Sequence, residues 1–171
     1  MQHRLALITS GAVLAVTALT TAGTAHAEEI ECRGALGAVT VDNLRVPSDA
    51  SCTLHGTTVI GTVKVESGAT LAALDARVNG NIQAENHRSV TVHRSTVGGS
   101  IQLVQGGAAG VGSATLTSNS VSGDIQLFAN AGAQIVSNNS VGGNLQCKEN
   151  ALAPTGSGNA VDGNKEDQCA G

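Results

Sequence analysis

A seven-residue phrase, Val-x-Gly-polar-apolar-Gln-apolar, recurs along this chain and limits its fold more than any other feature. Copies run from Val78 to Ala84, Val97 to Leu103, Val121 to Leu127 and Val141 to Cys147, with a variant from Val59 to Val65 and a degraded copy from Val161 to Asn164. Their glycines, Gly61, Gly80, Gly99, Gly123, Gly143 and Gly163, are spaced 19, 19, 24, 20 and 20 residues apart. A period near 20 residues marks a chain that stacks one small unit on the next.

Aligned on that glycine, the copies form columns. Two residues after it stand Val63, Ile82, Ile101, Ile125 and Leu145; four after it stand Val65, Ala84, Leu103, Leu127 and Cys147. Between them lies a polar column of Lys64, Gln83, Gln102, Gln126 and Gln146. Apolar, polar, apolar is the alternation of a strand with one buried face. A second strand precedes each glycine, with inward columns Cys52, Leu71, Val90, Ala114 and Leu54, Ala73, Val92, Leu116, Val136. Thr53, Ala72, Thr91 and Thr115 point outward between them, and Gln134 interrupts the first column, so the register is expected to loosen towards the C-terminus. The third side is expected to be irregular, spanning Glu66–Thr70 and Glu85–Ser89 and widening to Val104–Ser113, an insertion of the kind that falls on loops.

Helices do not suit segments rich in Thr and Val that alternate with period two and are broken by glycine. The expected class is therefore all-β, a single-stranded parallel β-helix (β-solenoid) with right-handed coiling and rungs of about 20 residues. With 22 Gly, no Trp, no Tyr and one Phe, Phe128, the core must be thin and built from Val, Ile, Leu and Ala layers.

The four cysteines fall at the two ends of the repeat. Cys32 and Cys52 are one period apart, so they share a column on adjacent strands, and Cys147 and Cys169 are 22 apart, close to one period. Local pairing within each couple fits the distance a disulfide spans; crossed pairing would have to bridge the height of the stack, about 30 Å. The expected bridges, Cys32–Cys52 and Cys147–Cys169, cap the ends.

Residues 1–27 read as a secretory signal peptide: Arg4, then the mostly apolar stretch Leu5–Leu19, then the A-x-A pattern Ala25-His26-Ala27. Residues 28–171 form the β-solenoid domain. Without the first 27 residues, which carry one Arg and no acid, eight basic and 13 acidic residues leave a net charge of −5. That balance excludes a nucleic-acid groove, which needs clustered Lys and Arg.

Catalytic patterns are absent. Asp75 and Asp124 sit on different corners, so they are not the paired carboxylates of glycoside chemistry. His55 and His93 share a column two rungs apart, too far for one metal ion. No serine carries triad partners, and the glycines do not form a nucleotide loop. Asn119, Asn139 and Asn159, each four residues before its glycine, are expected to form a structural amide ladder. Asp75 and Arg94, each five before its glycine, are expected to pair.

The CTL-x-G-T-x-V opening (Cys52–Val59), GNLQCKEN (Gly143–Asn150) and the ending GNKEDQC (Gly163–Cys169) resemble small secreted proteins of high-GC actinobacteria. That resemblance implies a secreted β-helix and carries no catalytic residues. The V-x-G-x-[IV] rung is also similar to the polymer-forming bactofilins, from which the signal and cysteine staples depart.

The functional expectation is a non-enzymatic scaffold without cofactor or metal, secreted or held at the cell envelope. Its partner would be a cell-wall polymer, a protein or copies of itself, and the outward face of Gln83, Gln102, Gln126 and Gln146 is the candidate binding surface. A self-assembling surface component is the alternative, ahead of a polysaccharide-active enzyme. Ice binding, which suits flat Thr-rich faces, is disfavoured by the break at Ala72.

Overall fold

The structure, a computed structural model, describes residues 28–107 and 112–170; the signal sequence expected over 1–27 lies outside the described residues. Every regular element among them is a β-strand, and every pairing is parallel. The chain coils through three sheets in rotation. The first has eight strands, from Glu29–Glu31 through Val63–Val65, Ile82–Glu85, Ile101–Val104 and Ile125–Phe128 to Lys165–Asp167. The second has six, from Gly34–Leu36 to Gln134–Ser137. The third has seven, from Thr40–Val41 to Ala160–Val161, and marks seven turns of a β-solenoid.

The inward columns are as the repeat requires. Val63, Ile82, Ile101, Ile125 and Leu145 are consecutive register partners, each at most 2% exposed. Stacking matters because a strand of four residues has almost no core of its own; each side chain is buried by its copies above and below. The core runs as one cluster from Cys32 to Cys147.

Three features differ from expectation. The third side is not the stretch Glu66–Thr70, whose last residue already opens a strand of the second sheet. It is a sheet of two-residue strands such as Thr58–Val59, Arg77–Val78 and Thr96–Val97, whose valines point inward. Two residues are too few to show an alternation, so only the pairing in space reveals them.

Gln134 does not loosen the register. It pairs with Ala114, is 1% exposed, and its Nε2 donates to the carbonyls of Gly112 and Gly132, both at 3.0 Å. Two backbone acceptors satisfy its Nε2, while its Oε1 is buried without a partner.

The turn before Gly61 lacks the repeat phrase, so its inward residues are not among the expected columns. Leu44 and Val46, fully buried, extend the inward columns below Val63 and Val65, with Asp42 near the slot that glycine fills elsewhere.

The repeat glycines are required by proximity and not by backbone twist, since none of the six has a positive φ. Their amides form a spine: Gly80 N donates to Gly61 O at 2.9 Å, Gly99 N to Gly80 O at 2.9 Å, Gly123 N to Gly99 O at 3.0 Å. A Cβ on Gly80 would stand 2.5 Å from Gly61 O. The polar residue that follows each glycine continues the spine, as where Ser100 N donates to Asn81 Oδ1 at 2.8 Å and Asp124 N to Ser100 Oγ at 3.0 Å. Left-handed backbone falls instead mainly on two corner columns, Gly56, Asp75, Arg94, Ser118, Asn138 and Gly158 five residues before the glycines and Asn86, Gln105, Ala129 and Glu149 six after them.

Candidate functional site

The outward side of the first sheet carries the four glutamines predicted to form a binding face. Consecutive strands place Lys64, Gln83, Gln102, Gln126, Gln146 and Glu166 in one register column. Gln83 Nε2 donates to Gln102 Oε1 at 2.9 Å, Gln102 Nε2 to Gln126 Oε1 at 2.8 Å, Gln126 Nε2 to Gln146 Oε1 at 2.8 Å and Gln146 Nε2 to Glu166 Oε2 at 2.8 Å. The ladder uses one N–H and one carbonyl lone pair of each inner glutamine. One N–H and one lone pair of each remain for solvent or a ligand.

Beside it runs a second outward column: Glu66, Glu85, Val104, Phe128 and Lys148. Val104 and Phe128 are half-buried and form an apolar strip next to Gln102 and Gln126. A shallow depression of about 430 Å³ lies where Lys64, Gln83, Glu85, Gln102 and Val104 meet. The same face ends in charge towards the N-terminus. Arg45 there binds Glu29 at 3.1 Å, Glu66 at 3.2 Å and also Glu31, and its hydrogen bond holds the Glu66 carboxyl below the usual range.

The second sheet presents Thr53, Ala72, Thr91 and Thr115 in register, with Ser51, Thr70, Ser89 and Ser113 on one side. The third outward column reads His55, Leu74, His93 and Thr117. His55 and His93 are thus separated by Leu74, and no group of three His, Cys, Asp or Glu among the described residues is placed to hold a metal ion.

One polar chain on this side was not anticipated. Thr117 Oγ1 lies 2.8 Å from His93 Nδ1, and His93 Nε2 lies 2.7 Å from Arg94 Nη1, whose Nε and Nη2 hold Asp75. It contains a hydroxyl, an imidazole and a carboxylate, but the arginine fixes the proton the wrong way for nucleophile activation. A guanidinium only donates, so Nε2 accepts and the proton sits on Nδ1, which donates to the threonine. His93 in this state cannot take the hydroxyl proton.

The Asn119, Asn139 and Asn159 ladder is present. Asn119 and Asn139 are 3% and 2% exposed, and each Oδ1 accepts the backbone N–H one rung earlier, from Ser95 and Asn119, at 3.0 Å. A second ladder was missed. Asn130 Oδ1 accepts Gly106 N at 2.8 Å, Asn150 Oδ1 accepts Asn130 N at 3.1 Å, and Gln168 Oε1 accepts Asn150 N at 2.9 Å. Its signal was in the alignment: Gly68, His87, Gly106, Asn130 and Asn150 all stand seven residues after a repeat glycine.

His87 is the exception in that column. It is fully buried, neither ring nitrogen has a partner, and desolvation alone lowers its pKa to about 4. A Cβ at Gly106 would collide with its ring, so only glycine leaves room for it. Of the Val104–Ser113 insertion, Gly106 and Gly107 are buried, and residues 108–111 lie outside the described residues.

Both disulfides join the expected partners, but Cys32 does not share a column with Cys52: the register partner of Cys52 is Gly34, and Cys32 follows the first-sheet strand Glu29–Glu31, two residues earlier. Cys32–Cys52 lies at the N-terminal end with Cα atoms 5.6 Å apart, and Cys147–Cys169 at the C-terminal end with 5.3 Å. Compared with family models, curated proteins and solved structures, the chain matches none.

Proposed function

We propose that this chain is an exported, non-catalytic scaffold that works outside the cell or at its envelope. Its binding face is the glutamine column of the first sheet, Gln83, Gln102, Gln126 and Gln146, laid along an extended polymer such as cell-wall material. The observation that carries this reading is the unbroken amide ladder with its spare outward N–H and carbonyl groups, flanked by Val104 and Phe128. A preformed row fixed by its own hydrogen bonds loses little side-chain freedom when a ligand docks. The two disulfides suit an oxidising compartment.

The self-assembling alternative has a specific obstacle. In the last strand of the first sheet Lys165 and Asp167 occupy the slots above Leu145 and Cys147, so both inward columns of that sheet end in charge. Inward charges on a terminal strand are a recognised guard against edge-to-edge growth.

Retention on insoluble cell-wall material is the test. The protein should be retained, and a Gln102→Leu, Gln126→Leu double variant with an unchanged melting temperature should wash through. Equal retention of both, or of neither, overturns the assignment. Light scattering across concentration should show no growth in mass; steady growth would favour the polymer.

A further inference from the structure

The two ends of the stack are finished differently. At the C-terminal end the first sheet's inward columns close on Lys165 and Asp167, while the third sheet's ends on the partly buried Val161. At the N-terminal end the first sheet's inward column stays apolar, ending on Ile30, which with Leu36 and Val41 packs against the core while only partly buried, and Val39 is 49% exposed.

The first strand, Glu29–Glu31, pairs on one side only, with Asn43–Val46. Glu28 O accepts from Asn43 N at 3.0 Å, and Cys32 N donates to Arg45 O at 2.8 Å. Backbone groups alternate along a strand, so those of Glu29 and Glu31 face away from the stack. Among the described residues nothing pairs with that edge. Its rim is acidic: Glu28, Glu29, Glu31 and Asp42 stand against Arg33 and Arg45, and Arg45 is already shared among Glu29, Glu31 and Glu66.

We propose that this N-terminal mouth docks an extended cationic segment of a partner protein, added as a further strand beside Glu29–Glu31. Backbone hydrogen bonds to Glu29 and Glu31 would give the affinity, an apolar side chain would cover Ile30, and flanking Lys or Arg would meet the two glutamates. A second copy of this chain is the poorer occupant by either route. Head to tail, it brings Lys165 and Asp167 against the Ile30 layer; head to head, it sets Glu29 and Glu31 against their own equivalents. Glu31 and Arg45 continue the register column of Lys64 and Gln83, but the docking edge uses the outward backbone of Glu29 and Glu31 and not the glutamine side chains, so either reading can fail alone.

The experiment uses two synthetic probes, the capped peptides Lys-Val-Lys-Val-Lys and Glu-Val-Glu-Val-Glu, titrated into the oxidised protein with amide shifts as readout. The lysine peptide should perturb residues between Glu28 and Val46, with binding that weakens as salt is raised, and the glutamate peptide should bind at least about tenfold more weakly. Glu31→Pro removes an outward N–H without touching the inward pairing, and should cut affinity for the lysine peptide at least about tenfold. Glu28→Lys, on the exposed rim, should cut it in low salt only. Equal binding of both peptides, shifts centred on Gln83–Gln146, or unchanged affinity in both variants overturns the proposal. Mass that grows with protein concentration and is abolished by Glu31→Pro does so too, because the mouth then takes a second copy.

Discussion

Arg94 reaches across one rung to Asp75 and holds both carboxylate oxygens, Nε on Oδ1 and Nη2 on Oδ2, each at 2.8 Å. Both residues lie in the left-handed region, at φ 47° and 54°, in the same corner column. Their equal offset from Gly80 and Gly99 is what brings the side chains together.

The Arg94 hydrogen bond lowers the Asp75 pKa. A carboxyl depressed in the folded state adds stability above its unfolded pKa and loses it as pH falls through the folded one. Both side chains are more than half exposed, so the effect is small and screened by salt. Asp75→Asn should leave the melting temperature at neutral pH nearly unchanged and reduce the loss of stability on acidification. A large neutral-pH drop that persists in high salt would show that the pair has a role beyond surface electrostatics.

Asn139 is the central member of its ladder. Its Oδ1 accepts from Asn119 N and Nδ2, and its Nδ2 donates to Leu116 O at 2.9 Å and to Asn159 Oδ1. Asn139→Ala strands several buried partners at once and should cost about 3 kcal/mol, more than a truncation of similar size on the surface. Urea denaturation measures it; a loss below about 1 kcal/mol means that water replaces the amide.

The Cys147–Cys169 bridge closes the last rung. Its removal by the Cys147→Ala, Cys169→Ala double variant should cost about 3 kcal/mol. Hydrogen exchange should rise first around Leu145–Lys148 and Lys165–Asp167, since solenoid stability is mostly a sum of neighbouring terms. Protection lost evenly from Val59 to Val161 would refute the capping role.

His87 makes the protein acid-sensitive. Its pKa is about 4 when folded against 6.5 for a free side chain, and the cause is burial alone. Between those values the unfolded chain binds a proton that the folded chain refuses, so stability falls as pH falls from about 6.5 towards 4, by up to about 3 kcal/mol. The difference in unfolding free energy between the protein and His87→Leu, followed across that range, isolates this contribution. A difference independent of pH means that His87 is protonated without opening the corner.

Much of the architecture was legible because an in-register parallel stack is nearly a one-dimensional object. Residues at one offset from Gly61, Gly80 or Gly99 must lie above one another, so the Ile82 and Ile101 ladder, the Gln83 and Gln102 column and the Asp75–Arg94 pair follow from counting, whereas each disulfide joins residues two positions out of register. Counting failed where the repeat loses its marker or its length. The turn through Leu44 and Val46 has no glycine, and the third sheet has strands of two residues.

The chain's own order of residues thus determined the columns and the pairing of rungs, because period and alternation are properties of the sequence alone. Only the tertiary structure decided which polar groups are spent. Asn130 serves the backbone of Gly106 because a corner amide one rung away needs an acceptor. His93 faces Thr117 as a donor because Arg94 bends back onto its other nitrogen. His87 is sealed because Gly106, with no side chain, lets the next rung close over it. Each depends on a distance between rungs and on a corner dihedral, neither of which has a period to read.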